Sequence, residues 1–158
     1  TANDFEDAFR QHLVNNQLLT QAVLPGMKKE GYGRVINIIS TSVKIPIDNL
    51  GVSNTIRAAV AAWAKTLSNE VGQYNITVNN VLPGYTQTAR LGSLIEEMAK
   101  KKQLSRETVA TAMMNTIPMK RFGLPEEIAN VAAFLASPAA SYVNGASIPV
   151  DGGRTGSI

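Results

Sequence analysis

The chain has no cysteine and a single histidine, His12. Disulfides and thiolate chemistry are therefore excluded, as is a zinc site built from Cys and His, and no metal site is expected. No run approaches the roughly 18 unbroken apolar residues of a membrane-spanning helix. The opening TANDFEDAFRQ also lacks the basic-then-apolar order of a secretory signal. These absences predict a cytoplasmic protein with no membrane partner. Aromatic residues make up only 6% of the chain, and none interleaves the densest basic cluster, Lys100-Lys101-Lys102. That cluster reads as a solvated helix face, and no nucleic-acid partner is expected.

What is present is globular. The 158 residues are 44% hydrophobic and 17% charged, with a net charge of +3. One domain of this size buries roughly 70% of the surface its unfolded chain exposes. From Asn3 to about Lys29, apolar residues such as Phe5, Phe9, Leu13, Leu19 and Val23 recur at helical spacing. They predict a long helix, with Pro25 kinking it or shortening its last turn. Gly31 and Gly33 break the pattern, and the β-branched run Val35 to Ile39 predicts a fully buried strand of the kind parallel sheets need.

A helix over Gly51 to Val71 follows, with Ile56, Val60, Trp63, Leu67 and Val71 as an apolar stripe. Its other faces carry Ala58, Ala61, Ala62 and Ala64. A helix apolar nearly all round predicts one face on the sheet and the alanine face against another helix, such as one from a second subunit. Ile76 to Leu82 is the next strand, stopped by Pro83-Gly84. Helices are expected over about Leu91 to Lys101 and, with Ser105 as N-cap, Arg106 to Met114. Pro125-Glu126-Glu127 opens a further helix, closed by Ser137-Pro138, before a last strand at about Ser147 to Val150. The order predicts an α/β fold with about three parallel strands, the first having an unpaired edge.

One local feature resists a purely structural account. Ser53 and Arg57 stand one turn apart at the start of an otherwise apolar helix, and a cation there opposes the helix dipole. The penalty points to a ligand anion or a ribose that Arg57 holds.

Three stretches, GRVINIIS, NITVNNVLPGYTQT and RFGLPEEIANVAAFLASPAASYVNGASIPVDGG, together resemble the short-chain dehydrogenase/reductase family, especially its β-ketoacyl carrier-protein reductase-like branch. The resemblance covers essentially the whole chain. It implies a Rossmann-type, doubly wound parallel sheet using a nicotinamide cofactor. Residues 1–158 would supply the C-terminal portion of that single domain. The family's glycine-rich phosphate loop has no counterpart in them.

The family's catalytic set is asparagine, serine, tyrosine and lysine. Matched position by position, the serine falls on Ser40, the tyrosine on Ser53, the lysine on Arg57 and the asparagine on His12. An alkyl hydroxyl is a far weaker acid than a phenol, so Ser53 can hydrogen-bond a substrate but is a poor proton donor. Arg57 can hold ribose hydroxyls and lend positive charge, but it cannot release a proton. His12 is either the replacement acid or a histidine packed among Phe5, Phe9 and Leu19. Pro83, Gly84 and Thr88 resemble the loop that holds the nicotinamide carboxamide and a nearby phosphate. Tyr85 beside them is either a second phenol near the nicotinamide or a wall of the pocket.

The resemblance implies an NAD(P)-dependent oxidoreductase acting on a carbonyl or alcohol of a small molecule or a 3-oxoacyl thioester. NADP is favoured over NAD, and a homodimer or homotetramer is expected. Ser40 and Ser53 would polarise the carbonyl, Arg57 would place the cofactor, and His12, Tyr85 or water would deliver the proton. The alternative is a cofactor-binding relative with impaired catalysis and a regulatory or structural role. Substrate selectivity is expected in the region Leu91 to Thr116.

Overall fold

The computed structural model describes residues 1–156. Three parallel strands, β1 (Gly33–Ile38), β2 (Ile76–Pro83) and β3 (Ser147–Val150), lie in the order β1-β2-β3. In register, Val35 pairs with Val78 and Ile38 with Val81, while Asn80 pairs with both Asn37 and Ser147. The expected doubly wound α/β architecture is present, with helices on both faces.

Alternation along β2 sends Ile76 and Val78 to one face and Val81 to the other. On the first face they pack with Ala64, Leu67 and Val71 of α3 (Gly51–Val71) and with Leu24 and Met27 of α2 (Asn15–Glu30). On the second, Val81 packs with Leu135 and Val131 of a later helix, Pro125–Ala136. Every residue of β2 up to Leu82 is buried. Each of its aliphatic side chains contributes roughly 1.5–3 kcal/mol by leaving water.

The fully buried first strand expected from Val35 to Ile39 is not what forms. Only Gly33 in β1 is buried, and Ile38 is 51% exposed. The strand pairs on one side alone, so its outer edge and the side chains nearest that edge have no covering layer among the described residues.

The N-terminal helix is longer and less regular than its apolar spacing suggests. It runs as α1 (Ala2–Phe9), a single π-helical turn at Arg10–Val14, and α2, ending on Gly31 in the left-handed conformation at φ 61°. Pro25 neither ends nor shortens it; the irregularity falls on the turn that carries His12. The Asn15 N–H reaches back to Arg10 O, five residues away, which defines that wide turn.

Beyond β2, α4 (Ala89–Lys102) and α5 (Arg106–Asn115) form a separate small core of Leu91, Ile95, Val109, Met113 and Phe122. Thr88 caps α4 through the Leu91 N–H and Ser105 caps α5 through the Thr108 N–H. The last helix, α6 (Pro125–Ala136), covers the sheet face opposite α3. Among the described residues no helix is long and apolar enough to cross a membrane.

Candidate active site

The C-terminal ends of β1 and β2 and the start of α3 converge, and the residues singled out in the sequence gather there in two groups. In the first, Arg57 donates from Nε to Ser53 Oγ at 3.1 Å and from Nη1 to Ile39 O at 3.3 Å. The Ile39 carbonyl immediately precedes Ser40, so one guanidinium ties the helix start to the strand end. Burial lowers the Arg57 pKa, and the charge of Arg90 lowers it further.

Ser40 lies where β1 gives way to a short turn at Thr41–Val43, and its Oγ accepts the Ser42 N–H at 3.1 Å. Both serine hydroxyls therefore have one acceptor direction occupied and keep their own proton to donate outward. In the first turn of α3, Asn54 grips the preceding loop by accepting from Ile47 N at 3.3 Å and donating to Ile47 O at 2.8 Å. That clamp fixes the chain entering the turn that carries Ser53.

His12 is exposed among the described residues, as are Phe5, Phe9 and Leu19. It lines a cavity of about 320 Å³ with Ser53 and Arg57, and a second of about 370 Å³ with Arg57, Asn16 and Ile38. The π turn presents it to both, because the widened helix faces α3 at this level.

The second group walls a cavity of about 430 Å³, into whose lining Pro83, Gly84, Tyr85 and Thr88 all enter. Ile38 lines this cavity too, so the two groups meet across one side chain. Gly84 is required by close approach: a Cβ there would lie 2.6 Å from Asp151 Cβ and 2.8 Å from Asp151 Cα. Tyr85 is held by two residues. Its ring meets Phe122 edge-on at 6.3 Å and lies 4.4 Å beneath the Arg154 guanidinium, which also donates to its Oη at 3.3 Å.

Sequence reasoning missed Arg90, Asn54 and Arg154. Arg90 was open to the argument that singled out Arg57, since it too places a cation near the start of a helix. The other two act through contacts 7 and 69 residues away along the chain, which no local pattern displays.

The family model described as enoyl-(acyl carrier protein) reductase matches residues 1–155. The chain belongs to the short-chain dehydrogenase/reductase family. It is 39% identical over 132 residues to the NADPH-dependent reductase BacG of Bacillus subtilis (strain 168), covering 84% of this chain and 51% of that protein. To the 3-oxoacyl-[acyl-carrier-protein] reductase FabG of Aquifex aeolicus (strain VF5) it is 37% identical, covering 95% of this chain and 56% of the relative. Among solved structures, YwfH, an NADPH-dependent reductase involved in bacilysin biosynthesis, superposes with a TM-score of 0.94 at 35% identity. That match covers 100% of this chain and 61% of YwfH. The chain thus spans about half the length of the curated short-chain reductases it matches.

Proposed function

We propose that residues 1–158 are the C-terminal portion of a single reductase domain that transfers hydride between NAD(P)H and a carbonyl or alcohol, using a site without a phenolic acid. The observation that carries this reading is the junction made by Arg57. Its bonds to Ser53 Oγ and to the carbonyl of Ile39, the residue before Ser40, join a hydroxyl and a cation to the end of β1, whose Ile38 also lines the cavity walled by Pro83, Gly84, Tyr85 and Thr88.

The larger cavity suits a nicotinamide. Ile38 and Pro83 offer apolar surface to a ring, and the Thr86 and Thr88 hydroxyls offer partners to a carboxamide. When bound there, the cofactor would supply or accept the hydride. Ser40 and Ser53 would then donate to the substrate oxygen, and Arg57 would stabilise negative charge on it without itself giving a proton. His12, open to solvent and facing the same space as Ser53, would deliver the proton directly or through water. Tyr85, with its hydroxyl engaged by Arg154, serves as a wall.

The similarity to NADPH-dependent reductases supports NADP over NAD, and the similarity to FabG supports a small-molecule or acyl-thioester substrate. Ala58 and Ala62 of α3 are exposed and offer a smooth face to a second copy, in a cytoplasmic homodimer or homotetramer.

The test is oxidation of NADPH and NADH by the intact protein across a panel of carbonyls. Turnover that is lost in Ser40→Ala and Arg57→Ala, with circular dichroism unchanged, is the expected result. The missing phenol at Ser53 favours one competing role, a cofactor-binding relative with impaired catalysis. Cofactor binding without turnover of any carbonyl would establish that role instead.

A further inference from the structure

Arg154 lines none of the cavities at the site, yet it touches both ends of the helix pair that walls the largest of them. Thr88, Arg90, Leu91 and Leu94, at the start of that pair, enter the lining of the cavity of about 430 Å³. The pair has its own small core, and Tyr85 packs against it while also lining the cavity. The chain enters α4 past Tyr85 and leaves α5 at Thr116. Arg154 donates from Nη2 to Tyr85 Oη at 3.3 Å and from Nε to Thr116 Oγ1 at 3.4 Å, with its guanidinium 4.4 Å from the centre of the Tyr85 ring. One planar fork thus spans the entry and the exit of the pair.

The segment that carries Arg154 is itself fixed. Gly152 and Gly153 turn the chain back at φ 66° and 84°, and the Asp151 carboxylate accepts the Gly153 N–H at 3.0 Å and the Thr155 N–H at 2.7 Å. Gly152 O accepts the Met119 N–H at 3.2 Å, which stitches this turn to the chain just beyond α5. Backbone bonds also settle where Tyr85 sits, since its carbonyl accepts the Gly123 N–H at 2.9 Å. They do not settle where its ring points. That direction is set by the edge-on contact with Phe122 and by the cation and donor that Arg154 supplies.

We propose that Arg154 is a positioning residue for substrate selectivity. Anchored on Thr116, it clasps the base of the α4–α5 pair and, by holding the Tyr85 ring, fixes the wall against which carbonyl substrates are sorted. The clasp rests on the contacts of Arg154 alone, and its bearing on selectivity rests on the reductase reading. Selectivity then depends on a residue outside the region Leu91 to Thr116, reached from the far end of the chain.

The test compares the intact wild type with Arg154→Met, Tyr85→Ala and the double variant. Methionine keeps most of the side chain's length and loses the cation and both donors. Amide hydrogen exchange is expected to be about tenfold faster across α4 and α5 in Arg154→Met, and unchanged in β2 and α3. The unchanged sheet shows that the variant is folded. Wild-type exchange in α4 and α5 overturns the proposal, and so does faster exchange throughout the molecule, which would make the effect global. Across a panel of carbonyls with NADPH, the ratio of kcat/KM between the best and the worst substrate should narrow at least about fivefold in Arg154→Met, through KM, with kcat for the best kept within about twofold. In the Tyr85→Ala background the Arg154 substitution should narrow it no further. An unchanged ratio overturns the proposal, as does a uniform fall in kcat that keeps the order of substrates, or a full Arg154 effect in the absence of Tyr85. If no carbonyl supports NADPH oxidation while exchange in α4 and α5 responds as expected, the reductase reading fails and the clasp stands.

Discussion

Arg57 holds Ser53 by a 3.1 Å bond from Nε while its Nη1 reaches Ile39 O, so the side chain replaces two separate anchors with one rigid fork. A lysine presents a single ammonium on a flexible stem and cannot keep both directions. Arg57→Lys should therefore lower kcat/KM about 100-fold with the fold intact, a loss in the range of one misplaced electrostatic group. Ser53→Tyr added to Arg57→Lys supplies a phenol beside an ammonium and should recover turnover above the single variant. Steady-state kinetics on the best carbonyl of the panel decides both. A double variant no faster than Arg57→Lys would mean that the surroundings do not admit a phenol as acid.

Gly84 is held against Asp151 so closely that a methyl group has no room, and its N–H is fixed to Val150 O at 3.0 Å. Because the obstruction includes backbone, relief requires the two strand ends to separate. Gly84→Ala should destabilise by about 1–3 kcal/mol in urea unfolding and weaken NADPH binding together. An unchanged unfolding midpoint would show that the strand ends yield freely.

Glu127 accepts from both Arg121 nitrogens at 2.6 and 2.7 Å and from the Leu124 N–H at 2.7 Å. Arg121 first, and the Leu124 amide second, hold its pKa at about 2 against an ordinary 4.5. With the folded value depressed, the stabilisation is complete above the unfolded value near 4.5 and fades as pH falls toward 2. The Tm of the wild type should exceed that of Glu127→Gln at pH 6, and the two should converge as the pH approaches 2. A gap that stays constant with pH would place the effect of the substitution elsewhere. Added salt should narrow it, since the pair is at the surface.

Asn80 is 2% exposed, yet both ends of its amide are satisfied, by Asn37 Nδ2 at 3.0 Å and Ser147 Oγ at 3.0 Å. These are its register partners on the two neighbouring strands, so one side chain crosses the whole sheet. Asn80→Leu removes the partner of both half-buried Asn37 and half-buried Ser147 and should lose about 1–3 kcal/mol. Denaturant titration measures it. A loss below 1 kcal/mol would mean that water replaces the amide.

Periodicity was enough for the helices and for the position of each strand, because apolar spacing reports the local backbone directly. Ser105 was readable as a cap for the same reason, whereas the capping role of Thr88 emerges only in the structure. Burial of β1 was not readable, since VINII specifies a strand but not whether a neighbour covers its edge. Asn79 and Asn80 look like interruptions in an apolar strand. Only the structure supplies their partners, with Asn79 bound to Val143 O and Ala146 N some 64 and 67 residues on. At the site, the spacing from Ser40 to Ser53 and Arg57 was legible from family register, whereas their linkage through Ile39 O is a tertiary contact with no sequence signal. Arg90 went unnoticed because a single arginine in a polar helix is ordinary.

The π turn at Arg10–Val14 also bears on how this helix tolerates change. Upstream of it, α1 packs on α3; downstream, α2 packs on β1. Each residue of an α-helix advances the side chains by about 100°, so removing one residue from the wide turn would swing Phe5 and Phe9 around the axis while Leu24 and Met27 stayed in place. Length changes within these five positions are thus far less tolerable than at the helix ends, and a one-residue deletion there should uncouple the layers that His12 sits between.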